Sequence, residues 1–195
     1  MIQPFSGAAA ERNKTPIFTR LTTLLTAADR VLEIGAGHGL HARHAVACLP
    51  GIDWQASEQP ARLAALQQGL AACHELPPPL ALDVTGAWPA GPFSAVYAAN
   101  VAHIMSWPQV TQFVAGSADV LAVGGLLCLY GPFVDSDVVT AASNQAFDAR
   151  LRALDPVMGL RRVQALAALA QAQGLQPWRD WALPANNRLL VWRKA

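Results

Sequence analysis

Charge is scarce in this chain. Asp, Glu, Lys and Arg make up only 14% of its 195 residues, and 14 basic against 13 acidic side chains leave a formal net charge of +1. Binding nucleic acid requires a basic surface that neutralises phosphates, and neither this balance nor any local run of Lys and Arg supplies one. Nucleic acid is not an expected partner. Cysteine is scarce as well. Cys48, Cys73 and Cys128 are odd in number, lack metal-ligand spacing and sit in apolar surroundings, which excludes a disulfide framework and points to reduced thiols and a cytoplasmic location. Met1 to Ala10 lack the basic start and continuous apolar run of a secretory signal.

The longest uncharged stretch, Val84 to Ala118, has no Asp, Glu, Lys or Arg. A membrane span needs about 20 uninterrupted apolar residues. This stretch is broken by Pro89, Pro92 and Pro108 and carries Asn100, His103 and Gln109, so it reads as buried interior and no membrane is expected. The 53% of hydrophobic residues are too many for a solvated disordered chain. The length suits one domain over 1–195, since domains cluster near roughly 100–200 residues.

From about residue 30, β-branched apolar runs alternate with helical periodicity, the pattern of a parallel sheet covered by helices. Strands are expected at Arg30 to Ile34, Ile52 to Ser57, Leu80 to Val84, Phe93 to Ala98 and Leu126 to Tyr130. Helices are expected over His41 to Leu49, through Leu63, Leu66 and Leu70, and, entered through Asn100 to His103, over Val110, Phe113, Val114 and Leu121 to a stop at Gly124-Gly125. An insertion with its own helix, Asn144 to Leu154, precedes a last helix through Val163, Leu166 and Leu169. Two closing runs, Leu175 to Leu183 and Arg188 to Arg193, are too close for a crossover and should pair antiparallel.

Chemistry concentrates at the strand ends. The first strand runs into Gly35-Ala36-Gly37-His38-Gly39, where glycines let a ligand approach the backbone and the next helix offers free N–H groups. A dinucleotide fingerprint would place its third glycine at position 40, which is Leu40. Glu33 would repel a pyrophosphate there and attract the cationic amino group of a methionine moiety. Glu58 ends the second strand, where a carboxylate accepts two hydrogen bonds from a ribose diol, or stands as a helix-start acid favoured by the dipole. Asp83, in Leu82-Asp83-Val84, suits an adenine amino group or simply caps a turn.

Asn100 and His103 close the fourth strand, at the edge where open α/β sheets bind ligands. His103 is placed either to remove a proton from a nucleophile or to be a structural histidine at a helix start. His38, His41 and His44 are spaced by three, but i and i+6 project to opposite sides of a helix and His38 lies in the loop, so no metal is expected.

Five helix-linked strands followed by a hairpin, with these residues at their ends, resemble the class I S-adenosylmethionine methyltransferases. More narrowly, the chain resembles a methyltransferase-like family with bacterial and animal members, domain of unknown function 938, of the methyltransferase-like 26 type. The likeness runs through Ala10 to Lys14, the glycine loop with His41, Leu82-Asp83-Val84, Ala99-Asn100, Tyr130 to Phe133, Ser143-Asn144 with Phe147-Asp148, Leu151-Arg152 with Asp155-Pro156, and Pro184 to Asn187.

That resemblance implies an α/β, Rossmann-like fold: a mostly parallel seven-stranded sheet with a C-terminal antiparallel hairpin and helices on both faces. It implies S-adenosylmethionine as cofactor and an unspecified small-molecule methyl acceptor as partner, and leaves the oligomeric state open. Glu33, Gly35, Gly37 and Gly39 match positions around the methionine half, Glu58 the ribose, Asp83 with Val84 the adenine, and Asn100 the methionine and the transferred methyl. Leu40 stands where a polar residue is usual. Methyl transfer by in-line displacement follows, with His103 and His41 as candidates for a base or an acceptor contact.

The N-terminal segment 1–28 and the insertion 132–160 are expected to form a lid, with Arg12, Asn13, Lys14, Tyr130, Asn144 and Arg152 as acceptor contacts. The competing reading of these charges is a solvated helical face with ordinary ion pairs. Two other functions compete: a non-catalytic cofactor-binding subunit, opposed by the intact Glu33, Glu58 and Asp83, and an NAD-linked oxidoreductase, opposed by Leu40 and the hairpin.

Overall fold

Val31, Leu32 and Ile34 alternate too little for a half-exposed strand, and a strand buried on both faces is what they form. In the computed structural model, which describes residues 7–195, β1 (Arg30–Ile34) pairs in parallel with β2 (Asp53–Glu58), Arg30 opposite Asp53 and Ile34 opposite Ser57. β3 is only Leu80–Ala81, parallel to β2, so Asp83 and Val84 lie beyond the strand expected to reach them. Between these strands run α2 (Leu40–Cys48), a single 3-10 turn at Pro60–Arg62 and α3 (Leu63–Leu70). The chain divides into two compact units, and these elements belong to the first, which ends at Asp83.

The first unit also holds a helix that the sequence pattern does not announce. α1 (Gly7–Leu21) carries Pro16 in its interior, which removes a backbone donor and normally ends a helix. Packing outweighs that cost: Ile17, Phe18 and Leu21 are 0–1% exposed, and the Phe18 ring lies 5.7 Å from that of Trp54 on β2. Ile17, Phe18 and Leu21, within the segment 1–28 expected as a lid, are thus core of this unit. Residues 1–6, where that segment and the stretch Met1 to Ala10 begin, lie outside the described residues.

α3 sits hard against the glycine loop. A Cβ added at Gly69 would lie 2.9 Å from the His38 carbonyl carbon and closer still to its oxygen, while the Arg43 guanidinium bridges the carbonyls of His38 (3.0 Å) and Gly69. Alanine at 69 gains about 0.5–1 kcal/mol of helix preference. Overpacking against backbone typically costs 1–3 kcal/mol, so Gly69→Ala is expected to lose about 1–2 kcal/mol net in denaturant unfolding. Stability equal to or above the parent's would refute this close packing.

The second unit, Val84 to Ala195, contains β4 (Phe93–Ala99), α4 (Trp107–Val120), β5 (Leu121–Gly131), β6 (Phe133–Val134), α5 (Ala142–Leu154), β7 (Arg161–Arg162), α6 (Val163–Ala172), β8 (Leu175–Leu183) and β9 (Asn187–Lys194). β4 and β5 are parallel, β5–β9 and β9–β8 antiparallel, and β6 and β7 form a separate two-stranded ladder. The strands give the mostly parallel, seven-stranded α/β sheet and terminal hairpin expected, ordered β3-β2-β1 in the first unit and β4-β5-β9-β8 in the second.

The end of α4 also differs from the sequence reading. Gly124-Gly125 does not close α4; the helix ends at Val120, Leu121 is already extended and belongs to β5, and the glycines lie inside that strand. The register there slips from Phe93–Leu121 to Ala95–Leu126, and Gly124 at φ 79 absorbs the bulge. A distant residue caps the helix: Lys194 Nζ donates to the carbonyls of Ala118 (2.6 Å) and Leu121 (2.8 Å). At the other end α4 starts at Trp107 behind a Ser106/Gln109 capping box, and Asn100 and His103 lead into it as expected. Among the described residues no helix is long and apolar enough to cross a membrane.

Candidate functional site

The turn after β1 has one bare wall. Gly37 has φ 63, and a Cβ added there would meet nothing within 4 Å. Gly39, at φ 72, serves packing instead: an added Cβ would run into Leu70 and come within 3.1 Å of Leu66 Cδ1. Gly35, at φ 71, makes the turn itself, with Ala36 N–H donating to Ser57 O across to β2. Glu58, the last residue of β2 and 5% exposed, accepts the Gly37 N–H on Oε2 (2.8 Å) and the Gln59 N–H on Oε1 (2.9 Å). Each carboxylate oxygen keeps a further lone pair, the acceptor pattern that a vicinal diol requires. Leu82 N–H donates to Glu58 O at 2.9 Å and leads the chain to half-buried Asp83.

Behind the loop Glu33 is 2% exposed; Oε2 accepts the Trp54 indole N–H at 2.7 Å, and Oε1 lies 4.0 Å from His41 Nδ1. Burial raises the carboxyl to about 7, against the Trp54 bond and together with the charge of Glu58. His41 is buried in turn, its Nε2 lying 2.8 Å from Asn13 Oδ1 of α1. Burial lowers the ring to about 4, opposed by a hydrogen bond to Ala10. These residues fit a ligand with an exposed diol and a cationic end. The fit rests on the bare wall at Gly37, the paired acceptors of Glu58 and a buried carboxyl.

The second unit builds its own cluster at the end of β4. Asn100 turns the chain at φ 58 and donates its N–H to Tyr130 O of β5 at 2.8 Å. His103, 1% exposed, packs over Gly131, where an added Cβ would lie 3.2 Å from His103 Cε1 and 3.6 Å from Asn100 Oδ1. Phe147 of α5 meets the imidazole edge-on, with centroids 5.5 Å apart. Burial, helped by the positive Arg161, lowers His103 to about 3 and keeps it neutral. Arg161 fixes the turn: Nε donates to Ala102 O (2.9 Å), and Nη2 donates to Met105 O and Val157 O (3.1 Å). Gly159 N–H donates to His103 O at 2.9 Å.

Residues 3–194 match the family model described as "Protein of unknown function (DUF938)". The chain belongs to DUF938. Solved structures similar to this DUF938 chain include an O-methyltransferase family protein from Burkholderia thailandensis (TM-score 0.76, 17% identity, 87% of this chain and 52% of that one). Human N-acetylserotonin methyltransferase in complex with SAM matches at TM-score 0.78 and 16% identity, over 94% of this chain and 52% of that one. The S-adenosylmethionine-dependent methyltransferase SibL matches at TM-score 0.80 and 18% identity, over 96% and 56%. At these identities the likeness establishes the Rossmann-like methyltransferase fold. The chain spans about half the length of the structures it matches.

The six residues expected to contact an acceptor divide in the DUF938 structure. Lys14 pairs with Glu11 one helical turn away, and Arg152 Nε with Asp148 Oδ2 at 2.8 Å, as ordinary ion pairs along α1 and α5. Asn13 is taken up by His41, and Asn144 donates to Asn186 O at 3.0 Å, tying α5 to the β8–β9 turn. Tyr130 is buried within β5, and Arg12 is exposed. Sequence reasoning passed over Arg161 and Trp54. Arg161, the first of the pair Arg161-Arg162, carries no local signal, whereas Trp54 is an indole inside a buried strand, where an N–H must find an acceptor.

Proposed function

We propose that this DUF938 chain, like the methyltransferase-like 26 type it resembles, transfers a methyl group from S-adenosylmethionine to a small-molecule acceptor. The observation that carries this is Glu58 held by the Gly37 and Gln59 amides beside an unobstructed glycine wall. When bound, the cofactor supplies an already activated sulfonium methyl, so no covalent enzyme intermediate is needed. Glu58 would hold the ribose hydroxyls, Asp83 and Val84 the adenine, Glu33 with the loop glycines the methionine end, and Asn100 the region of the methyl. His103 would take the proton that the acceptor loses, while His41 faces Glu33 at 4.0 Å.

Of the two expected lid pieces, insertion 132–160 is the one assigned to acceptor choice, because its Phe147 covers His103. The three free cysteines suit a reducing cytoplasm. Calorimetry with S-adenosylhomocysteine tests the reading. Glu58→Ala is expected to weaken binding by about 1.5–3 kcal/mol, roughly ten- to a hundredfold, the scale of hydrogen bonds to a charged group. Unchanged affinity would remove Glu58 from the site, and thermal stabilisation by NAD but not by S-adenosylhomocysteine would overturn the function.

A further inference from the structure

Glu33 lacks what a buried carboxylate ordinarily needs. Among the described residues its one hydrogen-bond donor is a neutral indole, Trp54 Nε1 at 2.7 Å, and the facing imidazole nitrogen of His41 stands at 4.0 Å, beyond hydrogen-bond reach. A second carboxylate, Glu58, adds its negative charge. Basic side chains of α1 and α2 are engaged elsewhere. Lys14 of α1 pairs with Glu11, Arg43 of α2 with the His38 and Gly69 carbonyls, and His44 of α2 with Cys48 and the Phe18 ring. Among the described residues no Lys or Arg makes an ion pair with Glu33.

We infer that Glu33 stands largely as a neutral acid in the free protein and ionises when a cationic ligand group arrives, releasing its proton to solvent, with Asn13 and His41 acting as positioning residues that keep cationic charge away from it. The O–H bond of the acid breaks, the proton leaves to water, and the ligand's ammonium replaces it as counter-charge. This deepens the cofactor reading and rests on it for the identity of the ligand. Burial, which lifts the group to about 7, puts the exchange within the neutral range, and the neutrality of His41, held at about 4, prevents the ring from serving as the counter-ion. A helix that looks like a lid segment in the sequence, α1, thereby reaches the residues around Glu33 through His41, whose Nε2 lies 2.8 Å from Asn13 Oδ1 and whose ring also bonds the Ala10 backbone.

The test has two arms. In the free, full-length protein the ¹⁵N–¹H resonance of the Trp54 indole is followed against pH. It is expected to titrate with a midpoint of about 7 and to lose that titration in Glu33→Gln, whose amide still accepts the indole N–H. Asn13→Asp places a carboxylate on His41, charges the ring and moves the midpoint down by about one unit or more, which a merely structural Asn13 would not do. A Trp54 signal that is flat from about pH 5 to 9 overturns the inference whatever the ligand, and an unmoved midpoint in Asn13→Asp removes Asn13 and His41 from it.

In the second arm, S-adenosylhomocysteine is titrated calorimetrically at about pH 6.5 in buffers of differing ionisation enthalpy. The parent is expected to release most of one proton more than Glu33→Gln, so the ligand's own ionisation cancels. Binding with equal proton counts overturns the coupling and leaves the cofactor reading standing. No binding to the parent overturns the cofactor reading and the coupling with it, while the first arm still decides the state of Glu33.

Discussion

A His103→Asn protein is expected to turn over about 10²- to 10⁴-fold more slowly with S-adenosylhomocysteine affinity unchanged, the usual range for a positioned general base. The ring is held near 3 by burial, which makes it a weak base that is never pre-protonated at working pH. A weak base suffices here, because an acceptor O–H or N–H becomes strongly acidic as its lone pair bonds to the incoming methyl. The pH profile of kcat/KM should therefore show no fall near pH 6.5 attributable to this histidine. An acceptor found by screening metabolite extracts for methylation supplies the assay. Equal turnover of the two proteins would make His103 a structural residue pinned by Gly131, Phe147 and Arg161.

Arg161→Leu is expected to destabilise the protein by about 3 kcal/mol or more, because it strips the donor from three backbone carbonyls, those of Ala102, Met105 and Val157. Each buried acceptor left unsatisfied costs about 1–3 kcal/mol. Solvent reaching the 9% exposed arginine site offsets part of that sum. At roughly 2–4 °C per kcal/mol for a chain of this size, the melting temperature should fall by about 6–12 °C. Hydrogen exchange should rise first at Asn100–Ser106 and 157–160, the two segments the guanidinium joins. Arg161→Lys, which keeps the charge and loses the fork, should recover only part of the stability. Parent-like melting of Arg161→Leu would show that water replaces the guanidinium and that His103 is held by packing alone.

His103 and Arg161 are unequally visible in the sequence. His103 stands out as a polar residue at the end of an apolar strand, and the same logic finds Glu33, Glu58 and the glycine loop. Their meaning depends on neighbours a few residues away and on the rule that parallel strands present their C-terminal ends to ligands. Arg161 has no such local signature, since its acceptors lie up to 59 residues back along the chain. Lys194, which caps α4 from 73 and 76 residues away, is hidden for the same reason, and the sequence placed the cap at Gly124-Gly125 instead. α1 was hidden by Pro16, because a local rule about proline is outvoted only by the burial of Ile17, Phe18 and Leu21.

By itself the sequence determined the alternation of strands and helices, the antiparallel closing hairpin and the acids and glycines at the strand ends. Periodicity, short connections and backbone freedom act within a turn or two of chain, so they are written where they operate. Only the tertiary structure decided the charge and orientation of those groups. Glu33 is raised because packing desolvates it, the Trp54 indole bond opposing only in part, and Glu58 is fixed because the Gly37 amide, 21 residues away, points at it. Desolvation and hydrogen-bond satisfaction depend on everything packed around an atom, and that enclosure exists only once segments far apart in the chain have met.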